Sequence, residues 1–268
     1  DTGHIGVWVT VTDGTDTDSI GWTVHVVDTG SAPDTTGDTT GADLTRGLVG
    51  WYPFDGDAKD RSANQNDGVV HGASSAPNRF GVSGKALSLD GIDDYIDLGT
   101  VDQENTAYTM SVWVQTTDSI GTIVQRGNCN CVSNPTLATR YLDEMGCSKN
   151  YHDHVVNDGA WHHMVVQRES ASLKLFIDGE GVGTYTYNDP GWEWDNQPNY
   201  SHVARRLTVG YEYCTETIDT KYHLEGVVDE LRIYGRALSQ EEVDSLYREG
   251  GLDWKNFRTI SDPGGIFD

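Results

Sequence analysis

A strand signal runs directly into a helix signal in the stretch Gly226-Val-Val-Asp-Glu-Leu-Arg-Ile-Tyr-Gly-Arg-Ala-Leu-Ser-Gln-Glu-Glu-Val243. Its first half is rich in β-branched and aromatic residues, which favour strands. In its second half, Ser239 can cap a helix with Glu242 as its capping-box partner. The apolar face of that helix would consist of Val243, Leu246 and Tyr247. The stretch therefore predicts a long strand followed by one short C-terminal helix.

Short strand signals separated by Gly, Asn and Asp turns fill the chain upstream of this stretch. They are Ala86–Asp90, Tyr95–Leu98, Met110–Val114, Thr122–Gln125, His163–Gln167, Leu173–Ile177 and Arg206–Val209. Many short strands with this spacing are typical of two antiparallel sheets packed face to face. We therefore predict an all-β sandwich.

The chain is strongly acidic. Its 268 residues include 18 Lys and Arg and 42 Asp and Glu, which gives a formal net charge of −24. DNA, RNA and anionic lipid surfaces attract basic patches, so this charge argues against all three as partners. No apolar run approaches the roughly 20 residues of a membrane-spanning helix. We therefore expect neither a nucleic-acid partner nor membrane insertion.

Two alternating apolar runs near the N-terminus, Ile5–Thr12 and Ser19–Val27, predict a β-hairpin. Two strands alone are only marginally stable, so their apolar face needs another sheet to cover it. The residues that we expect to make assembly contacts there are Val7, Val9, Val11, Trp22 and Val24. The predicted divisions of the chain are a hairpin arm (1–28), a Thr/Gly/Asp linker (29–45), a main domain (46–250) and a tail (251–268).

A series of sequence blocks in the main domain carries a family resemblance. The blocks are Gly47–Gly68, Val70–Gly72, Phe80–Gly81, Gly84–Ile96, Met110–Val114, Asp158–Val166, Leu173–Gly179 and Gly226–Val243. In this order they resemble the LamG-like jellyroll domain of the concanavalin A-like lectin/glucanase superfamily. The resemblance implies a jelly-roll sandwich with a lectin-like role. The hairpin separately resembles the last two strands of an immunoglobulin- or cadherin-like repeat.

Oxygen-bearing side chains crowd the loop 55–67. Calcium takes about six to eight oxygen ligands, and clustered carboxylates repel one another unless a cation neutralises them. The resemblance implies a Ca²⁺ ion that ties this loop to the last strand. The ligands that it implies are Asp60, Asn66 and Asp229, with Asp55 or Asp57 nearby. The alternative is an ordinary loop of Asx turns with solvated acids. Asp90-Gly-Ile-Asp-Asp94 is interpreted as a hairpin turn, with a second cation site as its alternative.

Aromatic residues alternate with acids and amides between Tyr185 and Tyr200. Aromatic faces stack on the apolar faces of sugars, while carboxylates and amides bind hydroxyl groups. The residues that we expect to contact a glycan are Tyr187, Trp192, Trp194, Tyr200 and Asp195. The same rings could instead form a subunit or domain contact, or cover the edge of the sandwich, and all three interpretations stay open.

The four cysteines lie in polar, turn-rich surroundings: Cys129, Cys131, Cys147 and Cys214. In an acidic β chain we interpret them as two disulfides formed in an oxidising compartment. A bond between the first two would be strained, so we expect each to pair with one of the last two, in either combination. The alternative is a zinc site with His152 and His154, although paired Cys-x-x-Cys knuckles are missing.

Catalytic signatures are missing from the sequence. Glucanases of this broad fold carry Glu-x-Asp-x-x-Glu on one strand, which places the acid and the nucleophile on one face, and no such string occurs here. Trp113 and Trp161 match core positions of the family. We interpret His162 and His163 as structural, with one of them pointing outward. We therefore predict a protein that is not an enzyme and has no catalytic residues.

Two functions from different classes are compatible with these features. The first is an extracellular or cell-surface lectin-like module with structural Ca²⁺, which serves in adhesion or recognition by binding a glycan or a surface protein. The alternative is a self-assembling subunit of an extracellular filament or surface layer. In that case the hairpin arm would pair head to tail with a neighbouring copy, because exposed strands invite strand addition.

Overall fold

A computed structural model of the chain describes residues 4–12, 17–25, 42–101, 107–126, 136–139, 141–143, 150–151, 154–169, 172–186, 206–211 and 223–249. The strands up to residue 100 are β1 (His4–Thr12), β2 (Thr17–His25), β3 (Leu48–Tyr52), β4 (Val69–His71), β5 (Ser74–Ala76), β6 (Ala86–Asp90) and β7 (Tyr95–Thr100). The next are β8 (Ala107–Thr116), β9 (Thr122–Arg126), β10 (Thr136–Ala138), β11 (Tyr141–Asp143) and β12 (Asn150–Tyr151). The last are β13 (Trp161–Glu169), β14 (Ser172–Ile177), β15 (Glu180–Thr186), β16 (Arg206–Val209) and β17 (Glu225–Tyr234), followed by the helix α1 (Gln240–Arg248).

Two antiparallel sheets build the larger of two compact units, residues 42–268. The larger sheet has the strand order β15-β14-β13-β8-β17-β6-β5, with β3 also paired to β17. The smaller sheet has the order β12-β11-β10-β9-β16-β7-β4. The prediction of a two-sheet jelly-roll sandwich is confirmed.

The predicted strands are present, with differences mainly at their ends. β6 and β16 have the predicted bounds. β8 is longer than predicted, because it pairs with β13 on one side and with β17 on the other. Since most residues of β8 are buried on both faces, it lacks the alternation of apolar and polar residues from which strand ends are usually predicted.

The core lies between the two sheets and follows the alternation of side chains along each strand. In β7, Ile96 and Leu98 are 0% and 2% exposed, whereas Tyr95 and Asp97 lie on the outer face. In β17, Val228 and Leu231 are fully buried in the same core. Each fully buried side chain of this kind contributes roughly 1.5–3 kcal/mol to the free energy of unfolding, relative to an exposed one. The core between the two sheets is therefore the main source of stability.

A β-bulge interrupts β17 at Glu230, whose φ is 51°. Residues 225–228 pair with β6, and residues 231–234 pair with β3. The register with β8 shifts between Asp229 and Arg232, which lie opposite Trp113 and Ser111 respectively. The bulge therefore places Asp229 and Arg232 on the outer face of the larger sheet.

Helix α1 covers part of that outer face. Val243 and Leu246 are buried against Val165 and Phe176 of the sheet, in a cluster separate from the main core. Both bonds of the predicted capping box are present: the Ser239 hydroxyl accepts from the Glu242 amide, and the Glu242 carboxylate accepts from the Ser239 amide. Tyr247 completes the predicted apolar face at its edge, since its ring stacks on Trp113 although the residue is 37% exposed.

The N-terminal unit, residues 1–41, contains the hairpin of β1 and β2. Its register places Val7 opposite Trp22 and Val9 opposite Ile20. The intervening loop and most of the predicted linker lie outside the described residues. The assembly role of Val7, Val9, Val11, Trp22 and Val24 stays a prediction.

Candidate functional site

Four rings form a continuous row at one end of the smaller sheet. The ring row consists of His71, Tyr95, Tyr211 and His223. Successive ring centroids are 4.3 Å, 5.4 Å and 4.6 Å apart. The first pair stacks face to face with an interplanar angle of 11°, and the other two pairs are tilted.

Strand pairing brings these distant residues together. His71 and Tyr95 are register partners in β4 and β7. Tyr211 follows β16, which pairs with the other side of β7. Because Ile96 points into the core, its neighbour Tyr95 faces outward. The first three rings are half-buried, whereas His223, which precedes β17, is 6% exposed.

Three carboxylates lie beside the ring row, in the turn between β6 and β7. The acid cluster consists of Asp90, Asp93 and Asp94, each of which offers an oxygen within 4.8 Å of the others. Asp90 Oδ1 accepts from the amides of Ile92 and Asp93, and Asp94 Oδ2 accepts from the Asp90 amide. The hairpin interpretation is wrong, because β6 pairs in the larger sheet and β7 in the smaller one, so the turn crosses from one sheet to the other. This turn leaves carboxylates exposed at positions 90 and 93.

The acid cluster titrates unevenly. The hydrogen bond from the Ile92 amide lowers the pKa of Asp90. Burial raises the pKa of Asp94, and the charge of Asp90 raises it further. The ionised form of Asp90 is therefore stabilised. The ionised form of Asp94 is not, so a proton, a hydrogen-bond donor or a cation near it would be favourable.

Gly72 leaves room for Asp94 beside the ring row, and Gly210 lies next to the same aspartate. Gly72 follows His71 with φ +77°, and a Cβ there would lie 1.8 Å from Asp94 Oδ1. Gly210 precedes Tyr211 with φ +81°, and a Cβ there would lie 3.5 Å from the Asp94 carbonyl oxygen. Asp94 therefore sits between the chain segments that carry the first and third rings.

His223 has an unusual environment at the far end of the row. Its Nδ1 atom is buried and has no hydrogen-bond partner in the described part of the chain. Buried polar atoms normally have a partner, so this nitrogen is suited to a water molecule or a ligand. The site thus combines imidazole nitrogens, phenol hydroxyls and carboxylates, the groups that exchange hydrogen bonds with a hydroxyl-rich ligand. The stacked faces of His71 and Tyr95 are not available, so the outer edges of the rings would make the contacts.

The predicted calcium loop is organised by Asp60, which is 7% exposed. Its Oδ1 accepts from the amides of Trp51 and Ser62, at 2.9 Å and 2.8 Å. Its Oδ2 accepts from the Asn66 amide and the Ser62 hydroxyl, both at 2.9 Å. These four bonds use the acceptor sites of the carboxylate, so Asp60 holds the loop in shape through protein donors.

The other predicted calcium ligands also have protein partners. Asp229 pairs with Arg79 at 2.8 Å, and Asp55 pairs with Lys85 at 2.7 Å. Asp57 accepts from the Lys59 amide at 3.1 Å. In this arrangement a calcium ion shared by the predicted set would have to displace Arg79 from Asp229 and Lys85 from Asp55. Calcium binding stays a prediction.

The other predicted site residues lie outside the described residues. They are the platform residues Tyr187, Trp192, Trp194, Asp195 and Tyr200, and the cysteines Cys129, Cys131, Cys147 and Cys214. Neither the glycan platform nor the disulfides are tested by the structure.

The histidine pair divides as predicted into one buried and one outward residue. His163 is 1% exposed, and its Nε2 lies 2.8 Å from the Ser111 hydroxyl. Burial, assisted by the charge of Arg79, lowers the pKa of His163 to about 3. This Ser–His pair is closed to substrate, because Ser111 is also only 2% exposed. The ring of His163 packs on Trp113, which is buried as the resemblance implies, whereas Trp161 is only half-buried.

Comparison with known families identifies the domain. Residues 90–244 match a laminin G domain model of the concanavalin A-like lectin/glucanases superfamily. The chain belongs to this superfamily. The matched range of this lectin/glucanase fold starts at the acid cluster, includes Tyr95, Tyr211 and His223, and ends within α1. No curated protein sequence matches the chain.

Solved structures with a similar fold include several binding domains. Domain 4 of AbnA, an extracellular arabinanase from Geobacillus stearothermophilus in complex with arabinotriose, has a TM-score of 0.58 and 21% identity, over 75% of this chain and 98% of that domain. The binding domain of Paraclostridial Mosquitocidal Protein 1 has a TM-score of 0.53 and 18% identity, over 76% and 52% of the two chains. The botulinum neurotoxin serotype D binding domain has a TM-score of 0.52 and 14% identity, over 77% and 53%.

These likenesses establish the fold of the main unit. The chain spans about half the length of each toxin binding domain. Within the residues that the structure describes, no helix is long and apolar enough to cross a membrane.

Proposed function

We propose that the jelly-roll unit is a non-enzymatic, extracellular recognition module that binds a glycan, either free or on a surface protein, at the ring row. The observation that carries this proposal is the row of four rings beside three carboxylates at one end of the sandwich. Rings provide an apolar body with a polar tip, and carboxylates accept from sugar hydroxyls. The arabinotriose complex of a similar domain and the toxin binding domains support a binding role on this fold.

A glycan array with single ring variants tests this assignment. We expect Tyr95→Ala and Tyr211→Ala each to weaken binding about tenfold or more, because each removes a ring together with its hydroxyl group. Tyr247→Ala is the matched control, since its ring is exposed on α1 and stacks on Trp113 of the other sheet. Binding that survives both row variants but is lost in Trp192→Ala would place the site on the predicted platform instead.

A structural Ca²⁺ ion is a separate part of the proposal, supported by the family resemblance and by the oxygen-rich loop 55–67. The proposed ligands remain Asp60, Asn66 and Asp229, with Asp55 and Asp57 nearby. Binding would require Asp229 and Asp55 to exchange their Arg79 and Lys85 partners for the ion. We expect a chelator to lower the melting temperature, and calcium but not magnesium to restore it. An unchanged melting curve in chelator would remove this site.

Self-assembly through the N-terminal arm is the second candidate function. The observation that favours it is the hairpin itself, because β1 and β2 pair only with each other among the described strands. Such a two-stranded sheet is marginally stable, so pairing with a neighbouring copy would stabilise it. We expect deletion of residues 1–41 to abolish any assembly seen by light scattering or electron microscopy. Assembly of the shortened chain would exclude this role.

A further inference from the structure

The carboxylates around the ring row extend beyond the acid cluster. Glu225 lies against the turn that carries the cluster, since a Cβ on Gly91 would be 2.9 Å from Glu225 Cβ. Asp118 is adjacent, because its Oδ2 accepts from the Glu225 amide at 3.4 Å. We call Asp90, Asp93, Asp94, Asp118 and Glu225 the acidic rim. The rim is drawn together from the turn after β6, the segment after β8 and the first residue of β17.

The acidic rim is distinguished by its lack of basic partners. Within the described residues, none of the ion pairs with Lys or Arg involves a rim carboxylate. Elsewhere on the domain Asp55, Asp57 and Asp229 each have a Lys or Arg partner. Arg206, which lies beside the ring row, is already paired with Asp97. Among the described residues, the ring row is therefore bordered by carboxylates that have no Lys or Arg partner.

A second feature ties this charge to the ring row. His223, whose buried Nδ1 has no partner in the described part of the chain, packs on Tyr211 and acts electrostatically on Asp94. A ligand donor would satisfy His223 Nδ1 in the tautomer that carries its proton on Nε2. It could also donate to Asp94, in addition to the bond that Asp94 accepts from the Asp90 amide. Hydroxyl and amide groups of an uncharged sugar can donate in this way, whereas a carboxylate or sulfate can only accept.

We infer that the ring row selects uncharged glycans and rejects anionic ones such as sialylated, sulfated and uronate-containing saccharides. This inference rests on the proposed glycan-binding function. The acidic rim would repel a negative sugar group and leave it without donors, while it accepts from the hydroxyl groups of a neutral one. Because the rim is largely exposed, the discrimination should weaken as salt screens it.

Matched pairs of saccharides test the inference. Neutral oligosaccharides are printed beside their sialylated, sulfated and uronate counterparts, and binding is measured in chelator at about 20 mM and 300 mM NaCl, where the screening lengths differ severalfold. We expect the neutral member of each pair to bind about tenfold more tightly at low salt, and the ratio to shrink at high salt. Equal binding of both members, a preference for the anionic member, or rejection that depends on added calcium would overturn the inference.

Rim variants separate this inference from the proposed function. The double variant Asp93→Asn/Glu225→Gln should reduce the neutral-to-anionic ratio severalfold at low salt. Glu180→Gln/Glu241→Gln is the control, because it removes two exposed carboxylates outside the rim and should leave the ratio unchanged. If both members of a pair bind equally and Tyr95→Ala abolishes both, only the charge selection fails. If no saccharide binds, or Tyr95→Ala has no effect, the glycan site itself fails.

Discussion

Arg79 and Asp229 form the most buried ion pair of the described residues, with side chains 8% and 3% exposed. The Arg79 guanidinium also lies over the rings of Phe80 and Trp113 and donates to the Glu249 carbonyl. It thereby joins the loop after β5, the centre of the larger sheet and the end of α1. Burial raises the pKa of Asp229 to about 7, although Arg79 opposes this shift.

Removal of Arg79 should be strongly destabilising. We expect Arg79→Ala to lower the free energy of unfolding by about 3–5 kcal/mol, because it leaves the Asp229 carboxylate buried without its partner. The loss should be smaller near pH 5 than at pH 8, since a protonated Asp229 does not need a cation. Urea unfolding at both pH values measures it. Arg61→Ala, which breaks an exposed pair with Asp57, should cost less than about 1 kcal/mol.

Gly72 is a residue on which the site geometry depends. Gly72→Ala adds a Cβ 1.8 Å from Asp94 Oδ1 at a φ of +77°, so the carboxylate must move. Gly81→Ala is a matched control with φ +75° and no atom within 4 Å of the new Cβ. We expect the control to cost about 1 kcal/mol for its backbone conformation alone. Gly72→Ala should cost more in urea unfolding and also weaken glycan binding, and equal losses would contradict this placement of Asp94.

At the scale of elements, α1 depends on its N-terminal cap as well as on packing. The Ser239 hydroxyl accepts from the Glu242 amide at 3.2 Å. We expect Ser239→Ala to destabilise the protein by about 1 kcal/mol, because the amide loses its acceptor. Ser245→Ala, in the middle of the same helix, should be neutral or slightly stabilising, because alanine is the better helix former. If Ser239→Ala and Ser245→Ala change the melting temperature equally, the cap makes no contribution to stability.

The same helix end should make the protein sensitive to acid. Hydrogen bonds from Arg236 lower the pKa of Glu242 to about 2, from an ordinary value of 4.5. Its contribution is therefore complete above pH 4.5 and is lost as the pH falls towards 2. The free energy of unfolding should therefore fall between pH 4.5 and 2 in the unmodified protein. This part of the decline should be absent in Glu242→Gln. A parallel decline in both proteins would assign the acid sensitivity to other carboxylates.

At the scale of the whole molecule, a net charge of −24 opposes folding through self-repulsion. Adding NaCl at pH 7 should raise the melting temperature by a few degrees, because salt screens this repulsion. Calcium and magnesium chlorides at matched ionic strength provide the control. If calcium alone has an additional effect, a specific site accounts for it. No response to NaCl would mean that the charges are locally compensated.

Much of the fold was predictable because local signals agree with it. The bounds of β6 and β16 follow from short apolar runs between turn residues, and α1 follows from its capping box. The ring row was not predictable, because His71, Tyr95, Tyr211 and His223 have no local pattern in common. The calcium ligands were predicted partly from the clustered acids of loop 55–67. The sequence does not reveal that Arg79, from another loop, pairs with Asp229.

The order of residues is enough to specify a two-sheet sandwich with a single short helix, since strand alternation, turn residues and a helix cap act over a few neighbours. The pairing of strands that are far apart in the chain determines which polar groups meet, and this information lies in the register of β4, β7 and β16. A carboxylate has the same local sequence signal whether a guanidinium faces it or not. Only the packed arrangement therefore distinguishes Asp229, which has Arg79 as its partner, from the acidic rim, which has no Lys or Arg partner among the described residues.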